Sequence, residues 1–156
     1  MEFKAFKMDG LGNDFIIIDQ RINTINLSKE NIVKICSRDF IGCDQLIYIN
    51  KSKDKKDKLV FYNSDGSISG ACGNGTRCVA KLLSKEYEKK EIDLETSSGI
   101  LHSLILKENL VETNIGSPSM EWAKIPLIKN MNTEDLQITI NDINGKKFTG
   151  GIAINV

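Results

Sequence analysis

The sequence predicts an α+β fold in which strands dominate. Seven short segments within the first 116 residues are rich in Ile, Leu, Val and Phe and are bounded by polar or glycine turns, which is typical of strands. Only two segments between them have the i, i+3, i+4 apolar spacing of an amphipathic helix. The predicted strands are 2–7, 15–19, 45–50, 59–62, 92–96, 100–106 and 110–115.

The first predicted helix follows Ser28, a residue type that caps helix N-termini, and carries Ile32, Val33, Ile35 and Cys36 on one face. The second covers 76–89. Its apolar residues recur at helical spacing and are Val79, Ala80, Leu82, Leu83 and Tyr87. The charged run KSKDKKDK at 51–58 lies between two strand candidates and mixes both signs, so it predicts a solvated hairpin loop.

A domain boundary is predicted near Gly116, which divides the chain into 1–116 and 117–156. Pro118 and Pro126 interrupt the regular pattern after it, and strand-like segments return at 137–140 and 151–156. The second part is too short to bury a stable core alone, and it stops within a strand-like segment. We therefore expect the sequence to be cut short, with 117–156 forming a linker and the incomplete start of a second lobe.

Composition and charge exclude some classes of function. Lys plus Arg and Asp plus Glu both number 21, so no net charge attracts nucleic acid or an anionic membrane. No apolar stretch approaches the roughly 18 residues of a membrane span, and the N-terminus lacks a signal-peptide pattern. The spacing of the four cysteines fits neither a paired CxxC metal site nor a secreted disulfide framework. These observations predict a cytoplasmic protein with reduced thiols.

The stretch with chemical content is 61–80, FYNSDGSISGACGNGTRCVA, which runs from a strand through a turn into the second helix. Cys72 lies at the helix entrance, where unpaired backbone N–H groups favour a thiolate over a thiol. The same N–H groups can hold a carboxylate, because the glycines allow close approach of the backbone. Asn63 and Asn74 flank Cys72 with amides that can orient ammonium or carboxylate groups. This arrangement suits removal of the α-proton of an amino acid.

A structural reading competes with this one, since cysteine is among the most buried residue types and glycine-rich turns are common. The glycines match neither GxxxxGK[ST] nor GxGxxG, so a nucleotide phosphate loop is not predicted.

Three motifs together resemble the diaminopimelate epimerase family. The first is Lys7-Met8-Asp9-Gly10-Leu11-Gly12-Asn13-Asp14-Phe15, and the second is Tyr62-Asn63-Ser64-Asp65-Gly66-Ser67 followed by Cys72-Gly73-Asn74-Gly75-Thr76-Arg77-Cys78. The third, Arg38-Asp39-Phe40-Ile41-Gly42-Cys43-Asp44-Gln45, is one glycine shorter than is usual in the family. The resemblance covers the whole chain and reaches about the middle of the family's length.

The resemblance implies a lobe with a mostly antiparallel, curved sheet wrapped around a central helix, plus the opening strands of a similar second lobe. It implies interconversion of LL- and meso-diaminopimelate, for lysine and peptidoglycan precursors, by two cysteines without metal, pyridoxal phosphate or another cofactor. Cys72 matches the first cysteine. The residues that resemble substrate-contacting positions are Asn13, Gln45, Asn63, Gly73 and Asn74. The second cysteine belongs to the other lobe, so we expect this chain alone to be inactive. The resemblance implies an amino-acid substrate as partner and leaves a homodimer open.

Two alternatives to this function stay open. One is a proline or hydroxyproline racemase-like or phenazine-type isomerase, although such racemases generally carry histidine at the position of Asn74 and the phenazine-type isomerases do not use the cysteine. The other is a non-catalytic binding fragment that keeps the lobe.

The remaining cysteines and His102 are predicted to have no catalytic role. Cys36 and Cys78 are expected in the core, and Cys43 in the core or a pocket wall. His102 is expected to be a surface or hydrogen-bonded histidine. Arg77 either attracts an anion or anchors its helix by an ion pair.

Overall fold

The computed structural model describes residues 3–54, 56–107 and 109–155. It divides into two compact units at Asn114 and Ile115. The elements of the first unit are β1 (Ala5–Gly10), β2 (Asn13–Asp19), α1 (Lys29–Cys36), β3 (Gln45–Lys51), β4 (Asp57–Asn63), β5 (Ile68–Ser69), α2 (Gly73–Tyr87), β6 (Glu91–Thr96), β7 (Gly99–Lys107) and β8 (Leu110–Asn114).

One sheet contains all the strands of the first unit, in the order β1-β2-β3-β4-β6-β7-β8, with β5 paired to β4. Most neighbouring strands are antiparallel, and only β2–β3 and β4–β6 run parallel. Helix α2 packs against β1 and β2 and also against β6, β7 and β8. Because strands from both ends of the sheet order contact one helix, the sheet curves around α2. This confirms the predicted fold class for the first lobe.

Strands β2 and β3 are buried on both faces, which explains their unbroken apolar runs. Alternate residues Phe15, Ile17, Ile47 and Ile49 face the core formed with α2. The residues between them face a second core, which includes Ile32 and Cys36 of α1. The two helices therefore pack against opposite faces of the same strand pair.

The first predicted strand was placed too early: the observed strand is Ala5–Gly10, and Glu2 lies outside the described residues. The physical reason is a tight hairpin, in which Gly10 pairs with Asn13 across Leu11 and Gly12. Both turn residues have positive φ, 60° and 88°, as a two-residue hairpin of the primed type requires.

Both predicted helices are confirmed, with small differences in their bounds. Ser28 caps α1 by accepting a hydrogen bond from the backbone N–H of Asn31. Helix α2 begins at Gly73, three residues before the prediction, and Glu88 ends it in the left-handed conformation. The earlier start places Cys72 directly at the N-cap.

The segment 51–58 lies in a hairpin, as predicted, but the loop between its two strands is shorter than predicted. Lys51, the last residue of β3, pairs with Asp57, the first residue of β4. Asp57 is 7% exposed and is not a loop residue. It accepts hydrogen bonds from Lys51 Nζ at 2.7 Å and from the Tyr87 hydroxyl at 2.6 Å. These partners explain why a carboxylate is buried there.

The second unit contains a short 3₁₀ helix, Trp122–Lys124, and a hairpin of β9 (Thr139–Asn141) and β10 (Lys147–Thr149). Part of the predicted strand 137–140 is therefore observed. The predicted strand 151–156 is wrong for its described residues, which contain only an isolated bridge between Asn155 and Ser119. Gly150 and Gly151 have φ of 128° and 158°, so the chain leaves regular extended geometry at this point. Val156 lies outside the described residues.

No helix in the described ranges is long and apolar enough to cross a bilayer.

Candidate active site

Cys72 is the N-cap residue of α2 and is half-buried. Its sulfur accepts a hydrogen bond from the Gly75 N–H at 3.5 Å. Its carbonyl accepts from the Thr76 N–H at 2.8 Å and from the Thr76 hydroxyl at 2.9 Å. The backbone of Cys72 is therefore fixed, and the N–H groups of Gly73 and Asn74 have no partner within the helix. The arrangement places a thiol beside donors suited to an anion.

Two glycines allow the start of α2 to pack closely on the sheet. A Cβ atom on Gly75 would lie 2.8 Å from Ile47 Cδ1 and 3.1 Å from Phe61 Cε1. A Cβ on Gly10 would lie 3.0 Å from Cys78 Sγ and 3.1 Å from the Asn74 carbonyl oxygen. Larger residues at either position would push the helix away and displace Cys72.

Three of the predicted site residues lie at one edge of the sheet. Gln45 begins β3 and pairs with Asn63 at the end of antiparallel β4, while Asn13 begins β2, which runs parallel to β3. Gln45 Nε2 donates to Asn63 Oδ1 at 2.9 Å, and Asn63 Nδ2 donates to Ser67 Oγ at 3.0 Å. Gln45 Oε1 is buried and has no hydrogen-bond partner in the part of the chain that the structure describes. Gln45 and Asn63 thus form the first of two amide pairs.

The second pair joins the sheet edge to the helix. Asn74 Nδ2 donates to Asn13 Oδ1 at 2.6 Å. Asn13 Nδ2 in turn donates to Asp44 Oδ2 at 3.1 Å. No hydrogen bond joins the two pairs among the described residues, but Asp44 and Gln45 are consecutive in the chain.

A charged cluster supports this edge, and its residues were not assigned a role from the sequence. Arg38 donates to both carboxylate oxygens of Asp14, at 2.6 and 2.8 Å, and to Asp44 Oδ1 at 2.7 Å. Lys7 donates to Asp14 Oδ2 at 2.7 Å and to the Gly42 carbonyl oxygen. The Arg38 guanidinium, with a smaller contribution from Lys7, holds the pKa of Asp14 well below its usual range. All four charged residues lie within the sequence motifs, which was the available signal.

The other cysteines are buried, as predicted. Cys78 belongs to α2 and packs in the core between this helix and the sheet. Burial raises the pKa of its thiol to about 11. Cys36 and Cys43 lie in the second core with their sulfurs 3.3 Å apart. Burial raises the pKa of both, that of Cys43 to about 12. Of the two locations predicted for Cys43, the structure shows the core.

For His102 and Arg77, the sequence left two alternative environments open. His102 is exposed and its Nδ1 lies 2.7 Å from Asp93 Oδ1, which confirms a hydrogen-bonded surface histidine. Arg77 donates to the Asn74 side-chain oxygen. Within the described residues it forms no ion pair, so the predicted helix-anchoring ion pair is not observed.

A groove of about 700 Å³ opens on the flank of α2, next to β1 and β8. Its lining includes Arg77, Lys81, Lys85, Leu110 and Glu112. Cys72 and the predicted substrate-contacting residues are not among its lining residues. The candidate active site is therefore the start of α2 with the adjacent sheet edge, and not this groove.

Known proteins resemble this chain in sequence. The model of the family described as diaminopimelate epimerase matches residues 5–121. The diaminopimelate epimerase of Pelagibacter ubique (strain HTCC1062) is 65% identical over 156 residues, which are the whole chain and 57% of that protein. That of Caulobacter vibrioides (strain NA1000 / CB15N) is 38% identical over 145 residues, or 88% of this chain and 50% of that protein. The chain thus spans about half the length of these relatives.

Solved structures with low sequence identity share the fold. A phenazine biosynthesis protein of Bacillus anthracis matches with a TM-score of 0.57 and 21% identity, over 81% of this chain and 48% of that one. A hydroxyproline epimerase of Agrobacterium vitis matches with a TM-score of 0.57 and 10% identity, over 93% of this chain and 46% of that one. The family match covers most of the chain and includes all three motifs, and on that basis the chain belongs to the diaminopimelate epimerase family.

Proposed function

We propose that this lobe supplies Cys72 as one of two proton-exchanging thiols in a cofactor-independent epimerase that interconverts LL- and meso-diaminopimelate. The observation that carries the proposal is the position of Cys72 at the N-cap of α2, beside the N–H groups of Gly73 and Asn74, which have no partner within the helix. The names of the curated relatives support the substrate.

The proposed chemistry is a proton transfer without net oxidation. The Cys72 thiolate removes the α-proton from one face of the substrate, and the thiol of a second cysteine delivers a proton to the opposite face. Reversal of the reaction exchanges the two roles. Binding of the α-carboxylate at the helix start stabilises the negative charge that develops next to it.

The amide pairs supply contacts to the rest of the substrate in this proposal. Among the described residues, Asn13 Nδ2 and Asn74 Nδ2 each donate one hydrogen bond and so keep a second N–H donor near the helix start. Gln45 Oε1, which has no partner among these residues, offers an acceptor for an ammonium group. From the family resemblance, we expect the second cysteine in the other lobe. Residues 1–156 alone therefore supply half of the site, and we expect no turnover from them.

Substrate competition tests the proposed specificity. The full-length protein that contains this lobe is assayed with LL-diaminopimelate and with L-proline under identical conditions, and residues 1–156 alone are assayed in parallel. Turnover of diaminopimelate only, and only by the full-length protein, supports the proposal. Preferential turnover of proline would support the racemase alternative, and full activity of residues 1–156 would contradict the two-lobe site.

Cytoplasmic location is part of this proposal. It rests on the four free thiols, since reduced cysteines are typical of that compartment. Fractionation of cells that express the full-length protein checks it, and recovery in a secreted or membrane fraction would contradict it.

A further inference from the structure

Four side chains form a hydrogen-bonded row that crosses from α2 to the loop before β3. Arg77 donates to Asn74 Oδ1. Asn74 Nδ2 donates to Asn13 Oδ1 at 2.6 Å, and Asn13 Nδ2 donates to Asp44 Oδ2 at 3.1 Å. We call these residues the amide row. Its two central members are residues that the family resemblance places in contact with the substrate.

The chemistry of the two ends fixes the direction of the row. A guanidinium has only donors, and a carboxylate has only acceptors. With Arg77 at one end, the oxygen of Asn74 must face it, so the nitrogen of Asn74 faces Asn13. With Asp44 at the other end, the nitrogen of Asn13 must face it. A flip of either carboxamide would bring two donors or two acceptors together, so a single orientation of each satisfies all three bonds.

Asp44 is itself held on both sides. Its Oδ1 accepts from Arg38 Nη2 at 2.7 Å, and its Oδ2 accepts from the Asp14 N–H at 3.1 Å as well as from Asn13. Only a carboxylate can accept on both sides. An asparagine at position 44 would present an N–H group either to Arg38 or to Asn13. In the second case, Asn13 would have to turn its oxygen toward position 44, which reverses the direction of the row.

We propose that Arg77 and Asp44 are positioning residues that hold the carboxamides of Asn13 and Asn74 in one orientation. This inference rests on the proposed function, because it assigns these amides to substrate binding. Each amide nitrogen uses one N–H bond in the row and keeps a second. Those remaining donors match a carboxylate of the substrate and do not match an ammonium group.

The test compares variants of the full-length protein that differ in donor and acceptor character. Arg77→Gln can present either an oxygen or an N–H group to Asn74, whereas Arg77→Lys remains a pure donor. Asp44→Asn removes the pure acceptor. Asp39→Asn is the matched control, because Asp39 lies exposed in the same loop and its side chain makes none of the bonds of the row.

Steady-state kinetics with diaminopimelate give the first readout. Loss of a charge-assisted hydrogen bond predicts that Arg77→Gln and Asp44→Asn raise KM about tenfold, while kcat changes by less than about threefold. Arg77→Lys and Asp39→Asn are expected to stay within about twofold of the parent. Equal KM values for Arg77→Gln, Asp44→Asn and Asp39→Asn would overturn the inference. So would an Arg77→Lys variant as impaired as Arg77→Gln, because a donor at that position would then not suffice.

The side-chain amide signals of Asn13 and Asn74 in ¹H–¹⁵N NMR spectra give a readout that needs no activity. Arg77→Gln and Asp44→Asn are expected to shift both pairs of signals, and Asp39→Asn to leave them unchanged. If these shifts occur in a protein that does not turn over diaminopimelate, the orienting role stands and the proposed function fails. If turnover is normal but the signals and KM do not respond, the proposed function stands and the inference fails.

Discussion

Asn13 and Asn74 are 61 residues apart in the sequence, and their side chains form a 2.6 Å hydrogen bond between the start of β2 and the first turn of α2. This bond connects two of the three motifs by which the family was recognised. It also fixes the helix start, and with it Cys72, relative to the sheet edge. Stability and reactivity at this position are therefore expected to depend on the close packing of α2.

Gly75→Ala tests that packing. The added Cβ would lie 2.8 Å from Ile47 Cδ1 and within 3.3 Å of Phe15 and Phe61, all three fully buried. Overpacking of this kind predicts a loss of about 1–3 kcal/mol in the free energy of unfolding. Lys85→Ala on the exposed side of α2 is the control, expected within about 0.5 kcal/mol of the parent. Urea denaturation measures both, and equal stabilities would contradict the packing argument.

Asp57→Asn tests the buried carboxylate at the base of the β3–β4 hairpin. The change removes the charge that pairs with Lys51 and weakens the acceptor for the Tyr87 hydroxyl. Loss of charge-assisted hydrogen bonds predicts a free energy of unfolding lower by about 1–3 kcal/mol. Asp54→Asn, an exposed position in the same hairpin, is expected to have almost no effect. A similar change in both variants would show that Asp57 is not structurally special.

Acid pH tests the pairing of Asp14 with Arg38. Arg38 and Lys7 hold the pKa of Asp14 in the folded protein below its unfolded value of about 4. The ionised Asp14 therefore contributes fully to the free energy of unfolding above about pH 4, and this contribution declines as the pH falls further. Arg38→Gln removes the main cause of the shift. We expect the free energy of unfolding to fall less steeply in Arg38→Gln than in the parent when the pH decreases from 5 to 2.5. Lys53→Gln, at an exposed hairpin position, serves as the charge-matched control.

The acid experiment has a clear contradictory outcome. If the stability of Arg38→Gln and of the parent changes in parallel between pH 5 and pH 2.5, Arg38 does not control the titration of Asp14. Denaturant unfolding at four or five pH values is sufficient to distinguish the two cases.

Thiol labelling tests which cysteine is accessible for chemistry. Cys36, Cys43 and Cys78 are each at most 5% exposed, and burial raises the pKa of all three thiols. Iodoacetamide at pH 7 is therefore expected to modify Cys72 first, with the others reacting only after unfolding. Peptide mass spectrometry identifies the modified site. A Cys72 that reacts more slowly than a model thiol such as glutathione would favour the non-catalytic alternative.

The sequence predicted both helices and the longer strands of the first unit because their apolar patterns are local, but it did not predict the short strands β5 and β10. Phe15–Ile18 illustrates the limit of such patterns: an unbroken apolar run predicts burial, but not that alternate residues serve two separate cores. The segment 151–156 shows the opposite error. Its composition is typical of a strand, yet Gly150 and Gly151 adopt positive φ and regular pairing is not formed.

The sequence predicted the residues of the candidate site but not the hydrogen bonds between them. Motif resemblance identified Asn13, Gln45, Asn63 and Asn74, whereas their pairing depends on sheet register and on curvature around α2. Neither property is encoded in a local pattern. For the same reason Arg38, Asp14 and Asp44 remained without a role until the structure showed one guanidinium bound to two carboxylates.

Exchange of the substrate's α-proton tests the central claim most directly. The full-length protein, its Cys72→Ala variant and a Cys36→Ala control are incubated with LL-diaminopimelate in deuterated water, and deuterium at the α-carbon is followed by mass spectrometry. Without the Cys72 thiol, exchange is expected to fall at least about a hundredfold, since a positioned acid–base group contributes roughly 10²–10⁴ to the rate. The control, which changes a buried cysteine outside the site, should retain exchange. An unchanged rate in Cys72→Ala would show that this thiol is not the proton-exchanging group.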